Sequence, residues 1–221
     1  MNWKKSLFAN FRLYAVTDLK TADPDILEKI DAAYRGGADI VQLRSKTLTD
    51  RELLSLAKKA RALADRRRKL FFMNDRVDLA LAAGADGVHL GQEDFPVEEA
   101  LQLCRRAGAK LFIGKSTHSL EQARTAVCEK VDYIGVGPVF ETPTKPGRAP
   151  VGLELVRQIH RKVKIPFVAI GGIDPTNIDR VLAAGADRIA VVRAVFAAAD
   201  VCAATGKLRK KIDEHIQKTG T

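Results

Sequence analysis

A short device recurs along this chain. Gly36-Gly37-Ala38-Asp39, Ala83-Gly84-Ala85-Asp86 and Ala184-Gly185-Ala186-Asp187 each follow an Ala/Leu-rich stretch of helical type and precede a Val/Ile/Leu run. Ala107-Gly108-Ala109-Lys110 is a variant of the same pattern. Glycine at this point can take the left-handed conformation that closes a helix. The small residues beside it let helix and strand pack closely. The repeated unit is therefore helix, short turn, strand.

Eight runs qualify as strands: Arg12–Thr17, Ile40–Leu43, Leu70–Met73, Gly87–Leu90, Leu111–Gly114, Tyr133–Val136, Phe167–Ile170 and Arg188–Val191. Most are near-continuous apolar runs and do not alternate, as strands covered on both faces should be. Helical stretches lie between them, including Asp50–Arg67, Glu98–Ala107, Ser119–Glu129, Leu153–Lys162 and Pro175–Ala184. Ser119 and Asp174-Pro175 read as helix starts. Eight such units in 221 residues indicate a single (β/α)8 TIM barrel, an α/β fold spanning residues 1–221 as one domain. A doubly wound open sheet is the alternative.

Composition narrows the function. No apolar run approaches the roughly 18–20 residues that cross a bilayer, and no apolar segment follows Lys4-Lys5 as in a signal peptide. Cys104, Cys128 and Cys202 are odd in number, widely spaced and form no CxxC pair, which argues against a disulfide framework or zinc site and fits a reducing cytoplasm. The net charge of +10 favours an anionic partner. Its main clusters are Lys58-Lys59, Arg61, Arg66-Arg67-Arg68-Lys69 and Lys207 to Lys211. They read as solvated helix faces. No interleaved aromatics or DNA-binding motif suggest nucleic acid.

A barrel places its active site at the C-terminal strand ends, and those ends are polar here. Two carboxylates, Asp75 and Asp94, come from adjacent strand ends and offer hard oxygen ligands that suit Mg²⁺ with phosphate. A helix cap or a salt bridge to Arg44 is the plainer reading of either. Arg44 and Lys46 end the second strand as cations. Gly171-Gly172 and Val192-Arg193 follow strands seven and eight, where barrels hold phosphate on backbone N–H groups; a tight turn is the alternative. Thr142-Pro143-Thr144-Lys145-Pro146-Gly147 forms a segment that can grip anionic oxygens or serve as a surface loop. His89 reads as a satisfied core histidine, His118 as a residue able to meet substrate, and Glu93 as pointing away.

These stretches together resemble the thiamine phosphate synthase family. The matching motifs are Leu13-Tyr14-Ala15-Val16-Thr17-Asp18, Gln42-Leu43-Arg44-Ser45-Lys46, Asn74-Asp75-Arg76-Val77-Asp78, Gly87-Val88-His89-Leu90-Gly91-Gln92-Glu93-Asp94, Gly114-Lys115-Ser116-Thr117-His118, Asp132-Tyr133-Ile134-Gly135-Val136-Gly137-Pro138-Val139-Phe140, Thr142-Pro143-Thr144-Lys145 and Ala169-Ile170-Gly171-Gly172-Ile173. The resemblance covers most of the chain and implies a (β/α)8 barrel.

It also implies an activity: joining a hydroxymethylpyrimidine diphosphate to a thiazole phosphate with release of diphosphate. Gln42, Arg44, Lys46, Asn74, Ser116 and Lys145 match pyrimidine diphosphate contacts. Thr142, Thr144 and Gly171 match thiazole phosphate contacts, and Asp75 and Asp94 match magnesium ligands. The family usually has Val-Ser where this chain has Val192-Arg193. Backbone N–H groups there can still hold phosphate, while the arginine either adds charge or crowds the site. The implied chemistry leaves a pyrimidine cation as diphosphate departs, and Arg44, Lys46 and Lys145 would neutralise the leaving group. A homo-oligomer is compatible with this reading. Two other classes stay open: a thiazole tautomerase on the same barrel, with His118 as base, and a non-catalytic binding protein of the thiamine pathway.

Overall fold

The computed structural model describes residues 3–143 and 147–220. Eight parallel strands close into a barrel in sequence order: β1 (Leu13–Val16), β2 (Ile40–Leu43), β3 (Leu70–Asn74), β4 (Gly87–Leu90), β5 (Phe112–Thr117), β6 (Tyr133–Val136), β7 (Phe167–Ile170) and β8 (Ile189–Val191). The helices are α1 (Trp3–Asn10), α2 (Ile26–Arg35), α3 (Asp50–Arg67), α4 (Val77–Ala83), α5 (Val97–Arg106), α6 (Leu120–Cys128), α7 (Gly152–Lys162), α8 (Ile178–Ala183), α9 (Arg193–Phe196) and α10 (Val201–Thr219). The open-sheet alternative is excluded because β1 pairs with both β2 and β8.

The strands are apolar on both faces because two separate cores cover them. Alternate residues point out of the barrel and pack under the helices, as Leu13, Ala15, Val41, Phe71, Met73 and Ile113 do. The others point inward, where Tyr14, Ile40, Leu70, Phe72, Tyr133 and Val168 form a second cluster. The helix α1, which the sequence reading did not identify, contributes Phe8 to that inner cluster. Phe8 stacks on Phe112 at 3.9 Å between ring centroids. Burying a ring of this size contributes about 2 kcal/mol.

Two of the three aspartates in the repeated device share a task with Asp132 outside it, while Asp187 instead pairs with Arg12 and Arg188. Asp39 donates its backbone N–H to the Leu13 carbonyl, and its carboxylate accepts from the N–H groups of Arg12 and Leu13. Asp86 grips Phe71 in the same two-way manner, and Asp132 grips Ile113. Each clamp ties the start of one strand to the start of the strand before it, at the end of the barrel opposite the polar strand ends.

Some boundaries and some surface assignments differ from the sequence reading, among the latter Lys69 and Arg209, half-buried and paired with Asp39. β5 runs three residues beyond Gly114, so Ser116 lies inside the strand. α8 begins at Ile178 and not at Pro175, because Asp174 accepts from the Thr176 N–H and Asn177 accepts from the Asp174 N–H, making a turn first. Arg61 is not on a solvated face. It shares the stripe of α3 that carries Leu53, Ala57, Ala60 and Ala64, and its buried guanidinium pairs with Asp86 and Asp65. Lys58 and Lys59 are exposed as expected. Among the described residues no helix is long and apolar enough to cross a membrane.

Candidate active site

A cavity of about 580 Å³ opens at the C-terminal ends of the strands. Strand alternation explains its polar floor. Gln42, Asn74, His89 and Ser116 occupy inward positions near the top of β2, β3, β4 and β5, where the apolar packing of the lower barrel gives way to the opening.

One wall, over β2 to β4, carries charge. Arg44 follows β2 and is held by Asp18, while Lys46 pairs with Asp75 at 2.5 Å. The salt bridge from Arg44 thus goes to Asp18, and Asp75 takes the lysine. Asp75 adopts a left-handed backbone, φ 59°, one residue beyond β3. Its carboxyl is pushed above the ordinary carboxylate range, first by burial and then by hydrogen-bond contact with the Asp94 carboxyl; Lys46 opposes the shift. Asp94 is positioned by accepting from the Gly91 N–H at 2.7 Å.

The opposite wall, over β7 and β8, carries unpaired donors. The backbone N–H groups of Gly171, Gly172, Val192 and Arg193 have no acceptor among the described residues. Gly171 and Gly172 both have positive φ, 102° and 65°, and a Cβ on either would strike the segment after β6 at 2.5 Å. Glycine is required here by the backbone itself. The Arg193 guanidinium is exposed at the cavity edge and has no hydrogen-bond or ion-pair partner among the described residues.

Beneath both walls runs a chain of hydrogen bonds that sequence reasoning did not find. Gln42 Nε2 donates to Tyr14 Oη at 2.7 Å, Tyr14 Oη meets Tyr133 Oη at 3.1 Å, Tyr133 Oη meets His89 Nδ1 at 2.9 Å, and His89 Nε2 meets Ser116 Oγ at 2.9 Å. Burial holds both phenols well above their ordinary pKa, so they remain protonated. His89 is hydrogen-bonded at both nitrogens, yet it lines the cavity as well.

The sequence profile of the family described as thiamine monophosphate synthase matches residues 13–195. The chain belongs to this family. It is 50% identical over 196 residues to the thiamine-phosphate synthase of Gloeobacter violaceus, covering 89% of this chain and 56% of that protein. The corresponding protein of Chloroflexus aurantiacus is 47% identical over 211 residues, covering 95% and 96%. A solved structure of thiamine phosphate pyrophosphorylase from Pyrococcus furiosus superposes with a TM-score of 0.85 at 43% identity, covering 95% of this chain and 99% of that one. The chain spans about half the length of several relatives it matches, 52–56% of the first four.

The thiamine monophosphate synthase motifs converge on one place. Gln42, Arg44, Lys46, Asn74, Asp75, Asp94, Ser116, Thr142, Gly171, Val192 and Arg193 all line the cavity. Thr144 and Lys145 lie outside the described residues. His118 lines the cavity too, its Nδ1 turned to the Gly137 carbonyl. Glu93 is exposed and away from the cavity lining.

Proposed function

We propose that this chain is a thiamine phosphate synthase. It would join an aminopyrimidine methyl diphosphate to a thiazole phosphate (carboxylated or not) and release diphosphate. The observation that carries the reading is a single cavity with two anion sites on opposite walls: cations and carboxylates over β2 to β4, free backbone donors over β7 and β8. Two anionic substrates could lie there with their reacting carbons between the walls.

Gln42, Asn74 and Ser116 would hold the pyrimidine, and Arg44 and Lys46 its diphosphate. Lys145 joins them by its place in the family motif. The thiazole phosphate would sit on the donors near Gly171 and Val192-Arg193, with Thr142 beside it and Thr144 assigned to it by the family motif alone. Bond cleavage puts negative charge on the departing diphosphate and positive charge on the pyrimidine methylene, which the electron-rich ring delocalises. Guanidinium and ammonium groups fixed beside the leaving group lower that barrier without reorganising. The thiazole nitrogen then attacks the methylene, and no enzyme nucleophile is needed. A cavity that encloses both reactants also limits capture of the cation by water.

The donor chemistry of Asp75 and Asp94 fits Mg²⁺. Two carboxylates in contact need a proton or a cation between them, and oxygen-only donors suit a hard ion. Among the described residues no group of three or more His, Cys, Asp or Glu forms a metal cage, so phosphate oxygens and water would complete the shell. Bound there, Mg²⁺ would supply charge neutralisation to the diphosphate. Thiazole tautomerisation would leave the charged wall without a task. Mixing both substrates with Mg²⁺ and following diphosphate release tests the proposal. Release that does not depend on both substrates would defeat it.

A further inference from the structure

The chain of hydrogen bonds under the cavity links Gln42 on β2 to Ser116 on β5 through Tyr14, Tyr133 and His89. It is a built feature. A Cβ at Gly114 would fall 2.1 Å from the Tyr133 ring, and one at Gly135 would fall 3.1 Å from His89. Glycines on β5 and β6 therefore clear the space that the tyrosine and histidine fill.

Each inner link has a single proton to give. A phenol that accepts from one neighbour must donate to the other, and a neutral imidazole that accepts at one nitrogen donates at the other. When the Gln42 amide nitrogen donates to Tyr14, the order runs Tyr14 to Tyr133, Tyr133 to His89 Nδ1, and His89 Nε2–H to Ser116. Gln42 then offers its Oε1 to the cavity as an acceptor. That oxygen has no partner among the described residues and is not sealed from solvent. Ser116 offers its hydroxyl proton as a donor. Reversing every link exchanges the two roles but leaves one donor and one acceptor.

We propose that Tyr14, Tyr133 and His89 are positioning residues that couple the polarity of Gln42 and Ser116, so that the site always presents one donor and one acceptor across the ring and thereby selects an aminopyrimidine. An aminopyrimidine offers an amino donor on one side and a ring-nitrogen acceptor directly opposite. The oxo analogue offers acceptors on both sides. With the chain intact, one of its acceptors must face another acceptor, and a buried unmatched polar group is costly. The inference rests on the pyrimidine placement proposed above.

Binding separates this role from the chemistry, because the amino group also affects how readily diphosphate leaves. Calorimetric titration with the amino and oxo pyrimidine methyl diphosphates should show wild type favouring the amino compound by on the order of 100-fold. Tyr133→Phe cuts the chain, lets Gln42 and Ser116 turn independently, and should bring the ratio within about tenfold. Tyr14→Phe cuts the same chain one link earlier and should lower the ratio to the same extent. A role in packing alone would weaken both ligands equally. An unchanged ratio in both variants, or equal affinities in wild type, would overturn the coupling. Diphosphate release by wild type with both substrates is measured separately, so tight selective binding without turnover would count against the activity and not against the chain of bonds.

Discussion

The two ends of this barrel use the same residue type for opposite ends. At the bottom, Asp39 and Asp86 are buried and fully engaged: each accepts backbone N–H groups and pairs with cations, Asp39 with Lys69 and Arg209, Asp86 with Lys4 and Arg61. At the top, Asp75 and Asp94 press against each other, and Lys46 pairs with Asp75. Matched charge below serves cohesion; carboxylates in contact above have the donor chemistry of a cation site, as proposed. An aspartate's task here follows from what meets it, not from its burial.

The sharpest test of the contrast is at Asp86. Asp86→Ala strips Arg61 of its most buried partner and leaves the Phe71 N–H without its side-chain acceptor. Breaking a buried pair from one side costs about 3–5 kcal/mol. Urea unfolding should show that loss, while the folded fraction keeps its KM values. A stable but inactive variant would erase the distinction between the two ends.

Asp75→Asn should do the reverse. It removes like-charge crowding, so the midpoint of thermal unfolding should hold or rise. Turnover should fall on the order of 100- to 1,000-fold as the charge arrangement around the diphosphate is lost. Asp94→Asn should behave alike, and the magnesium dependence of both should change. Normal turnover with lowered stability would move these carboxylates into the class of clamps.

Arg193 tests whether the top of the barrel is selective between its own walls. Its guanidinium, beside the donors over β7 and β8, has no partner among the described residues. Arg193→Ser should raise the KM for thiazole phosphate about tenfold, the scale of one charge-assisted hydrogen bond, and leave the pyrimidine diphosphate KM unchanged. Steady-state titration of each substrate decides it. Equal KM values would mean that backbone donors alone serve the phosphate.

Much of this contrast was legible beforehand. β2, β4, β6 and β7 match their predicted runs residue for residue, because a strand buried on both faces leaves a near-continuous apolar signature. The strand-end rule then brought Asp75, Asp94 and Arg193 to one cavity. The end of β5 was obscured because Lys115 pairs outward with Glu129 while Ser116 turns inward, so the run is polar on both faces. α1 was missed because it buries Phe8 at the N-terminal end of the barrel, away from the cavity, and has no long amphipathic stripe. Tyr14 and Tyr133, 119 positions apart, become partners only when the barrel closes. The clamps went unread for a similar reason: the repeat displays its aspartate, but the N–H it grips belongs to a strand one unit earlier.

The smallest effect is expected at Asp132, a clamp without a cation. Its carboxylate accepts the Ile113 N–H, and no ion pair reaches it among the described residues. Its pKa is raised, chiefly by desolvation, with the Ile113 hydrogen bond opposing. A raised acid binds its proton more tightly in the folded state than in the unfolded one. Stability from this group is therefore full below the unfolded pKa, declines as pH rises through the folded pKa, and stays lower at neutrality. Asp132→Asn keeps an acceptor for the Ile113 N–H and removes that dependence. The variant should match wild type in acid and equal or exceed it at pH 7, by a small margin because the residue reaches solvent and water screens its charge. Chemical unfolding across this pH range measures the difference. A variant weaker than wild type at neutral pH would mean that the charge itself strengthens the clamp, placing Asp132 with Asp39 and Asp86.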